Sequence, residues 1–177
     1  MVPSQLAASR TVKECEDGGQ SVAVGLGEIA VTRQTNCVLV AYGLGSCVGL
    51  AVYDPIGLVA GMLHAVLPRC RQGDSTPSKF VDTGIPILVA EMERCGAKAQ
   101  RLQWYAAGGS QMLVAPGFKG MFNIGQQNVE VLREVFAQYG FILRNTSLGG
   151  HVGRTFKLYG RNGRVTVRFA GQAENDL

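Results

Sequence analysis

Two apolar runs with one strong turn between them constrain this chain most. Val48 to Tyr53 holds no charged residue, Leu58 to Leu67 holds His64 as its one titratable group, and Asp54-Pro55-Ile56-Gly57 lies between. Short apolar runs bounded by turn residues read as buried strands. Asp, Pro and Gly supply the turn chemistry. The pattern predicts a β-hairpin closed by residues 54 to 57. Tyr53 then faces Leu58, Val52 faces Val59, and Cys47 falls opposite His64. Facing residues of an antiparallel pair share a face, with Cβ atoms roughly 4.5–5.5 Å apart. A thiol and an imidazole at that spacing can hydrogen-bond. The inference rests on loop length, because a two-residue loop at Asp54-Pro55 would set Cys47 against Met62 instead.

Gly43-Leu44-Gly45-Ser46 leads into Cys47. Glycine lets a backbone turn tightly and approach a ligand closely. A thiol becomes a good nucleophile only as the thiolate, and a free cysteine, with a pKa of about 8.5, is mostly protonated at neutral pH. An adjacent histidine takes the proton and can return it to a leaving amine. Backbone N–H groups of Gly45, Ser46 and Cys47 can hold the oxygen of a tetrahedral intermediate, one donor being worth on the order of 10²–10³ in rate. Cys47 as nucleophile, His64 as base and the Gly45–Ser46 turn as oxyanion support suit acyl transfer from an amide or ester. The plain alternative stays open: a buried core thiol and a structural histidine in an ordinary hairpin.

The rest of the composition excludes more than it selects. The chain has 177 residues, enough for one domain with its own core, and 46% of them are hydrophobic. A net charge of +4 without a basic, aromatic-rich stripe does not indicate nucleic acid. No apolar run reaches the roughly 18 residues needed to span a bilayer, and the N-terminus lacks a charged-then-apolar signal pattern. Five cysteines without C-x-x-C spacing argue against a disulfide framework and a zinc site, and for a reducing cytoplasm. No phosphate-binding loop and no metal-spaced His/Asp/Glu cluster occurs, so no cofactor or metal is expected.

In chain order, residues 1–20 read as a loose N-terminal extension, 21–170 as the folded domain and 171–177 as a polar tail. Val22 to Val31 suggests one bent strand and Val38 to Val40 a short buried one. Arg69 to Lys79 is a polar loop that starts where the His64 strand ends. Asp82-Thr83 are placed to cap a helix running to about Cys95, with Ile85, Leu88, Val89, Met92 and Cys95 on its apolar face. Arg101 to Ala107 reads as a strand broken by Gly108-Gly109-Ser110, as a plain turn or a ligand cradle. Met112 to Phe122 is irregular and apolar. A second helix follows Asn123 and ends at Tyr139, with Gly140 as its stop. Phe141 to Leu143, Thr155 to Tyr159 and Arg164 to Phe169 read as strands, the last two joined through Asn162-Gly163. His151, in the turn Gly149 to Arg154, reads as a surface residue. The sum is an α+β (α/β) single domain: mixed and antiparallel sheet layers packed with two main helices.

These motifs together resemble the CheD family of chemoreceptor glutamine deamidases. The resemblance is carried by Gly43-Leu44-Gly45-Ser46-Cys47-Val48, Tyr53-Asp54-Pro55 and His64-Ala65-Val66-Leu67-Pro68. It continues through Lys79-Phe80-Val81-Asp82-Thr83, Ala106-Ala107-Gly108-Gly109, Asn123-Ile124-Gly125, Asn128-Val129, and Gly149-Gly150 with Gly153-Arg154, so it spans roughly residues 22–169. It implies a cytoplasmic hydrolase that converts chosen glutamines of bacterial chemoreceptors to glutamate and ammonia, without a cofactor. Cys47 and His64 match the family's catalytic pair, and the fold implied is that of the deamidase toxins of the cytotoxic necrotizing factor type. The partners implied are the receptor's cytoplasmic helices and a CheC-type phosphatase, which some members stimulate. Three positions depart from the pattern. Ala41 stands where the family carries a threonine that helps orient the histidine, which would leave a backbone carbonyl near residue 41 or a water to do so. Gln127 stands for an arginine, and Ser147-Leu148 lacks an acidic residue. The Ala41 departure keeps a second reading alive, a weakly active or inactive regulatory module that binds CheC or receptors. A third is a cysteine hydrolase acting on another amide.

Overall fold

The computed structural model describes residues 12–13, 21–111 and 123–177. The expectation for Met112 to Phe122 lies outside them. The strands are β1 (Val12–Lys13), β2 (Ser21–Ala23), β3 (Ile29–Thr32), β4 (Val38–Leu44), β5 (Val48–Asp54), β6 (Val59–Ala65), β7 (Gln103–Gly108), β8 (Leu143–Leu148), β9 (Arg154–Tyr159), β10 (Val165–Phe169) and β11 (Asn175–Asp176). Two helices join them, α1 (Val81–Arg94) and α2 (Ile124–Tyr139). One sheet has the order β1-β3-β6-β5-β7-β8, the other β11-β10-β9-β4-β2. Both mix parallel and antiparallel neighbours.

The six-stranded sheet is covered on both sides. Val48, Leu50, Val52 and Leu63 point to one face and join Ile85, Leu88 and Leu132 of the helices in one core. Ala51, Tyr53, Ala60 and Met62 point to the other and meet Leu39, Phe156 and Leu158 of the second sheet. Every residue of β5 and β6 is therefore buried. That is why both runs are continuously apolar rather than alternating.

The β5–β6 hairpin forms, with a corrected register. Its loop is Pro55 to Leu58, not 54 to 57, and Asp54 pairs with Val59. The cause is Asp54 itself. Its buried carboxylate accepts from the N–H groups of Ile56 and Gly57, both at 3.0 Å, which folds the turn after it and leaves its backbone in the strand. His64 consequently faces Gly49 rather than Cys47. Continuing the register sets Cys47 across from Val66 and diagonal to His64.

Other boundaries moved for local reasons. Val22 to Val31 is two strands in different sheets, separated by a turn at Leu26-Gly27. Phe80, not Asp82 or Thr83, is the α1 N-cap, and it offers no side-chain bond. The Asp82 carboxylate instead accepts from the Cys70 N–H at 2.9 Å, and the Thr83 hydroxyl donates to the Pro77 carbonyl. The strand expected at Phe141 to Leu143 begins only at Leu143, because Phe141 turns in to stack on Trp104 with centroids 5.1 Å apart. Val12–Lys13 adds a strand beside β3, and Asn175–Asp176 of the polar tail adds one beside β10. Cys47, Cys70 and Cys95 are not disulfide-bonded, but Cys37 is, against the expectation drawn from the cysteine count.

Candidate active site

Cys47 lies in the three-residue bend between β4 and β5, and three separate donors tie down that bend. Ser110 N–H donates to the Gly45 carbonyl and Gly109 N–H to the Cys47 carbonyl, both at 2.7 Å. Asn128 Nδ2 donates to the Ser46 carbonyl at 2.9 Å. All three carbonyls of the bend are thereby turned into the protein. Among the described residues, no hydrogen bond engages the N–H groups of Gly45 or Ser46, and the Cys47 N–H is directed at its own sulfur.

The glycines around the bend are there for close approach. A Cβ on Gly108, whose φ is +104°, would lie 2.1 Å from the Cys47 carbonyl oxygen. A Cβ on Gly125, in the first turn of α2, would lie 2.5 Å from the Ser110 carbonyl. Gly108-Gly109-Ser110 is thus neither a plain turn nor a ligand cradle. It cradles the cysteine bend.

His64 is buried in β6. Its backbone is clamped by the turn before β3: Gly27 N–H donates to the His64 carbonyl at 2.8 Å, and His64 N–H donates to the Glu28 carbonyl at 3.0 Å. The imidazole Nδ1 lies 3.0 Å from the Val24 carbonyl. A carbonyl only accepts, so Nδ1 carries the proton. That leaves the lone pair of the neutral ring on Nε2, which is buried and has no hydrogen-bond partner. Burial pushes the His64 pKa down from its ordinary 6.5, against the Val24 carbonyl and the charge of Glu28, so the neutral base predominates. Burial likewise pushes the half-buried Cys47 thiol up. The two side chains are not hydrogen-bonded to one another; such pairs often tighten only with substrate in place.

Ala41 is fully buried in β4 and faces Phe156. The carbonyl that orients the imidazole belongs to Val24, not to a residue near 41. Val24 stands beside that strand, its N–H donating to the Val40 carbonyl at 2.8 Å. His151 is exposed in its glycine turn, with Nδ1 3.1 Å from the Gln111 carbonyl.

Two residues of the motifs that carry the resemblance, Asn128 and Arg154, support the site in a role the sequence did not reveal. Asn128 is fully buried. Its signal was its place beside Gly125, Val129, Leu132 and Phe136 on the inward face of α2, where a polar residue needs a reason. Arg154 is 4% exposed and donates to the Ser110 hydroxyl at 2.7 Å and to the carbonyls of Ser147, Gly149 and Val152. It braces the segment that holds the Gly45 carbonyl, a role that the Gly153-Arg154 motif does not by itself reveal.

Beyond Val66 the chain enters the polar 69–79 loop. Between that loop and α2 runs a cavity of about 910 Å³, lined by residues that include Leu67, Arg71, Phe80, Gln127 and Val131. Arg69 and Glu134 form an ion pair between its two walls. Among the described residues, no group of three or more His, Cys, Asp or Glu is arranged to hold a metal, and no helix is long and apolar enough to cross a membrane.

Residues 66–169 match the family described as CheD chemotactic sensory transduction. The chain is 42% identical over 158 residues to a protein of Symbiobacterium thermophilum named as a probable chemoreceptor glutamine deamidase CheD, covering 88% of this chain and 96% of that one. It is 38% identical over 160 residues to a protein of the same name from Desulforamulus reducens, covering 89% and 96%. A third, from Caldanaerobacter subterraneus subsp. tengcongensis, is 40% identical over 150 residues, covering 84% and 92%. Among solved structures, the Bacillus licheniformis hypothetical protein YfiH matches with a TM-score of 0.44 and 14% identity over 67% of this chain and 49% of that one.

Proposed function

The chain belongs to the CheD family, and on that premise we propose that it is a chemoreceptor glutamine deamidase that works through Cys47 and His64. The observation that carries the mechanism is the His64 ring: Nδ1 is spoken for by the Val24 carbonyl, and Nε2 keeps a buried, unused lone pair at the cysteine end of the hairpin.

Nε2 takes the Cys47 proton as the sulfur attacks the glutamine Cδ. A C–S bond forms, and the carbonyl electron pair moves onto oxygen. The N–H groups of Gly45, Ser46 and Cys47 are the candidates to hold that oxyanion, since the carbonyls of the same residues are all tied elsewhere. Collapse breaks the C–N bond, and the imidazolium gives its proton to the departing ammonia. Water then attacks the thioester, with His64 taking one proton and returning it to the leaving thiolate. Glutamate and the free thiol remain, and no step needs a cofactor. The neutral resting pair suits this sequence, because the base is already deprotonated at neutral pH.

The activity is assigned to residues 21–170, with the receptor's cytoplasmic helices as substrate in the cytoplasm and a CheC-type phosphatase as a second partner. The binding-module alternative drew on Ala41. The Val24 carbonyl weakens it, because the imidazole is oriented without a hydroxyl at that position. The test is intact-mass analysis of a purified receptor signalling fragment incubated with the protein. A gain of about one mass unit per modified site, absent with Cys47→Ala, is expected. No gain, with the fragment still captured in a pull-down, would move the assignment to the regulatory module.

A further inference from the structure

Four buried side-chain nitrogen or oxygen atoms lack a hydrogen-bond partner among the described residues, and three of them belong to residues of the site or its supports: His64 Nε2, Asn128 Oδ1 and Arg154 Nε. Of these residues, Asn128 makes the most direct connection. Its Nδ2 donates to the Ser46 carbonyl at 2.9 Å and to the Val66 carbonyl at 3.0 Å. The first acceptor is the residue before Cys47. The second is two residues beyond His64, and it faces Cys47 in the continued hairpin register. Beyond Ala65 the strand no longer runs against β5, and past Val66 the chain departs into the 69–79 loop. A single side chain from α2 therefore spans the point where the two catalytic segments stop being held to each other by the sheet.

We propose that Asn128 is a positioning residue that fixes the distance between the Cys47 thiol and the His64 imidazole by clamping the Ser46 and Val66 carbonyls to one amide nitrogen. The inference rests on the deamidase reading for its catalytic consequence but not for its structural content. The chemistry demands a primary amide. Two carbonyl oxygens converge on one atom, and only a group with two N–H donors at that place satisfies both. The orientation of the amide follows as well, because Oδ1 in its place would set three oxygens against one another. An aspartate has the same shape and would oppose both carbonyls with a buried negative charge. A residue that merely filled space would tolerate that exchange on shape alone; a clamp would not. Support from beneath comes from Gly125, where a Cβ would strike the carbonyls of Ser110 and Gly109 and push the helix away from the bend.

The test compares the wild-type chain with Asn128→Ala and Asn128→Asp, each checked for folding by circular dichroism. Two readouts are taken: iodoacetamide labelling of Cys47, followed on its tryptic peptide, and deamidation of a receptor fragment. Both variants are expected to label Cys47 several-fold faster than wild type, because a freed bend exposes a half-buried thiol. Both are expected to lose on the order of 10²-fold in kcat with KM nearly unchanged, because misplacing a reacting group by an ångström has that effect. Faster labelling with slower turnover is a pair that general loss of stability does not produce at a temperature where the variant is folded. Should neither variant fold, Asn128→Ser, which keeps one donor, decides by the same two readouts. Folded variants that label and turn over at the wild-type rate would overturn the proposal, as would an aspartate variant indistinguishable from asparagine. If the wild-type chain leaves the receptor fragment unmodified, the deamidase reading fails, and the labelling comparison alone decides the role of Asn128.

Discussion

The two ends of the β5–β6 hairpin are built on opposite rules. At the turn end, Asp54 is fully buried and its carboxylate is surrounded by donors. Its oxygens accept from the N–H groups of Ile56, Gly57 and Lys98 and from the Arg101 guanidinium. Burial alone would raise its pKa, but the donors of Gly57, Arg101, Lys98 and Ile56 outweigh it and hold the carboxyl at about 2. At the other end, His64, Asn128 and Arg154 each keep a buried polar atom without a partner. Burying an unsatisfied polar atom costs on the order of 1–3 kcal/mol. The fourth such atom, Trp104 Nε1, belongs to the residue across from Val52; the gathering of the other three on residues of the site marks that end as the place where substrate or water completes the structure.

This contrast can be broken by crossing activity with stability at the two ends. The largest effect is expected from Cys47→Ser, which should reduce deamidation to background with the melting temperature little changed. His64→Ala should follow, with a loss of about 10²–10⁴ in kcat, the usual worth of a positioned acid–base group. Gly108→Ala joins the two classes. Its Cβ would occupy the place of the Cys47 carbonyl, so activity and stability should fall together. Asp54→Ala should do the reverse of Cys47→Ser, costing about 3 kcal/mol of stability and leaving the kcat of the folded protein intact. A large loss of kcat there would mean the two ends are coupled.

Smaller effects sharpen the contrast through pH. The Asp54 pKa falls from 3.8 to about 2 on folding, so its contribution is present above the higher value and is lost as pH drops between them, worth about 2 kcal/mol in a denaturation series. His64 is also lowered on folding, by burial, so its share of stability is full above 6.5 and declines as pH falls below it. His64→Gln should remove that upper decline and leave the Asp54 step. His64 must be neutral to take the Cys47 proton, so kcat/KM of the free enzyme should rise through the lowered His64 pKa, below 6.5, and hold across neutral pH beneath the raised Cys47 pKa. A fall of kcat/KM as pH rises through neutrality would instead indicate that the reacting form is a preformed thiolate–imidazolium pair.

Much of the hairpin was legible because continuous apolar runs and a dense turn are local signals. The choice of four loop residues was right in number and wrong in place, because one aspartate both paired as a strand residue and capped the turn. The slip leaves the alternation of faces unchanged, so Cys47 and His64 remained associated, diagonally rather than directly. The clamps on the bend were not legible. Ser110, Asn128 and Val24 act from segments 65, 82 and 40 positions away from their partners, and hydrogen bonds of that separation leave no period in a sequence. The orienting carbonyl is likewise not on β4 near Ala41 but on Val24, in the neighbouring segment that follows β2.

The central claim is that Cys47, at the open end of the hairpin, forms the covalent bond to substrate. Acid-quenched mass spectrometry of the protein mixed with a glutamine-bearing receptor peptide tests it directly. The expected result is a transient adduct on Cys47 with the mass of the peptide less one ammonia, absent in Cys47→Ala. Deamidated peptide produced equally by Cys47→Ala, or an adduct mapped to Cys70 or Cys95, would contradict it.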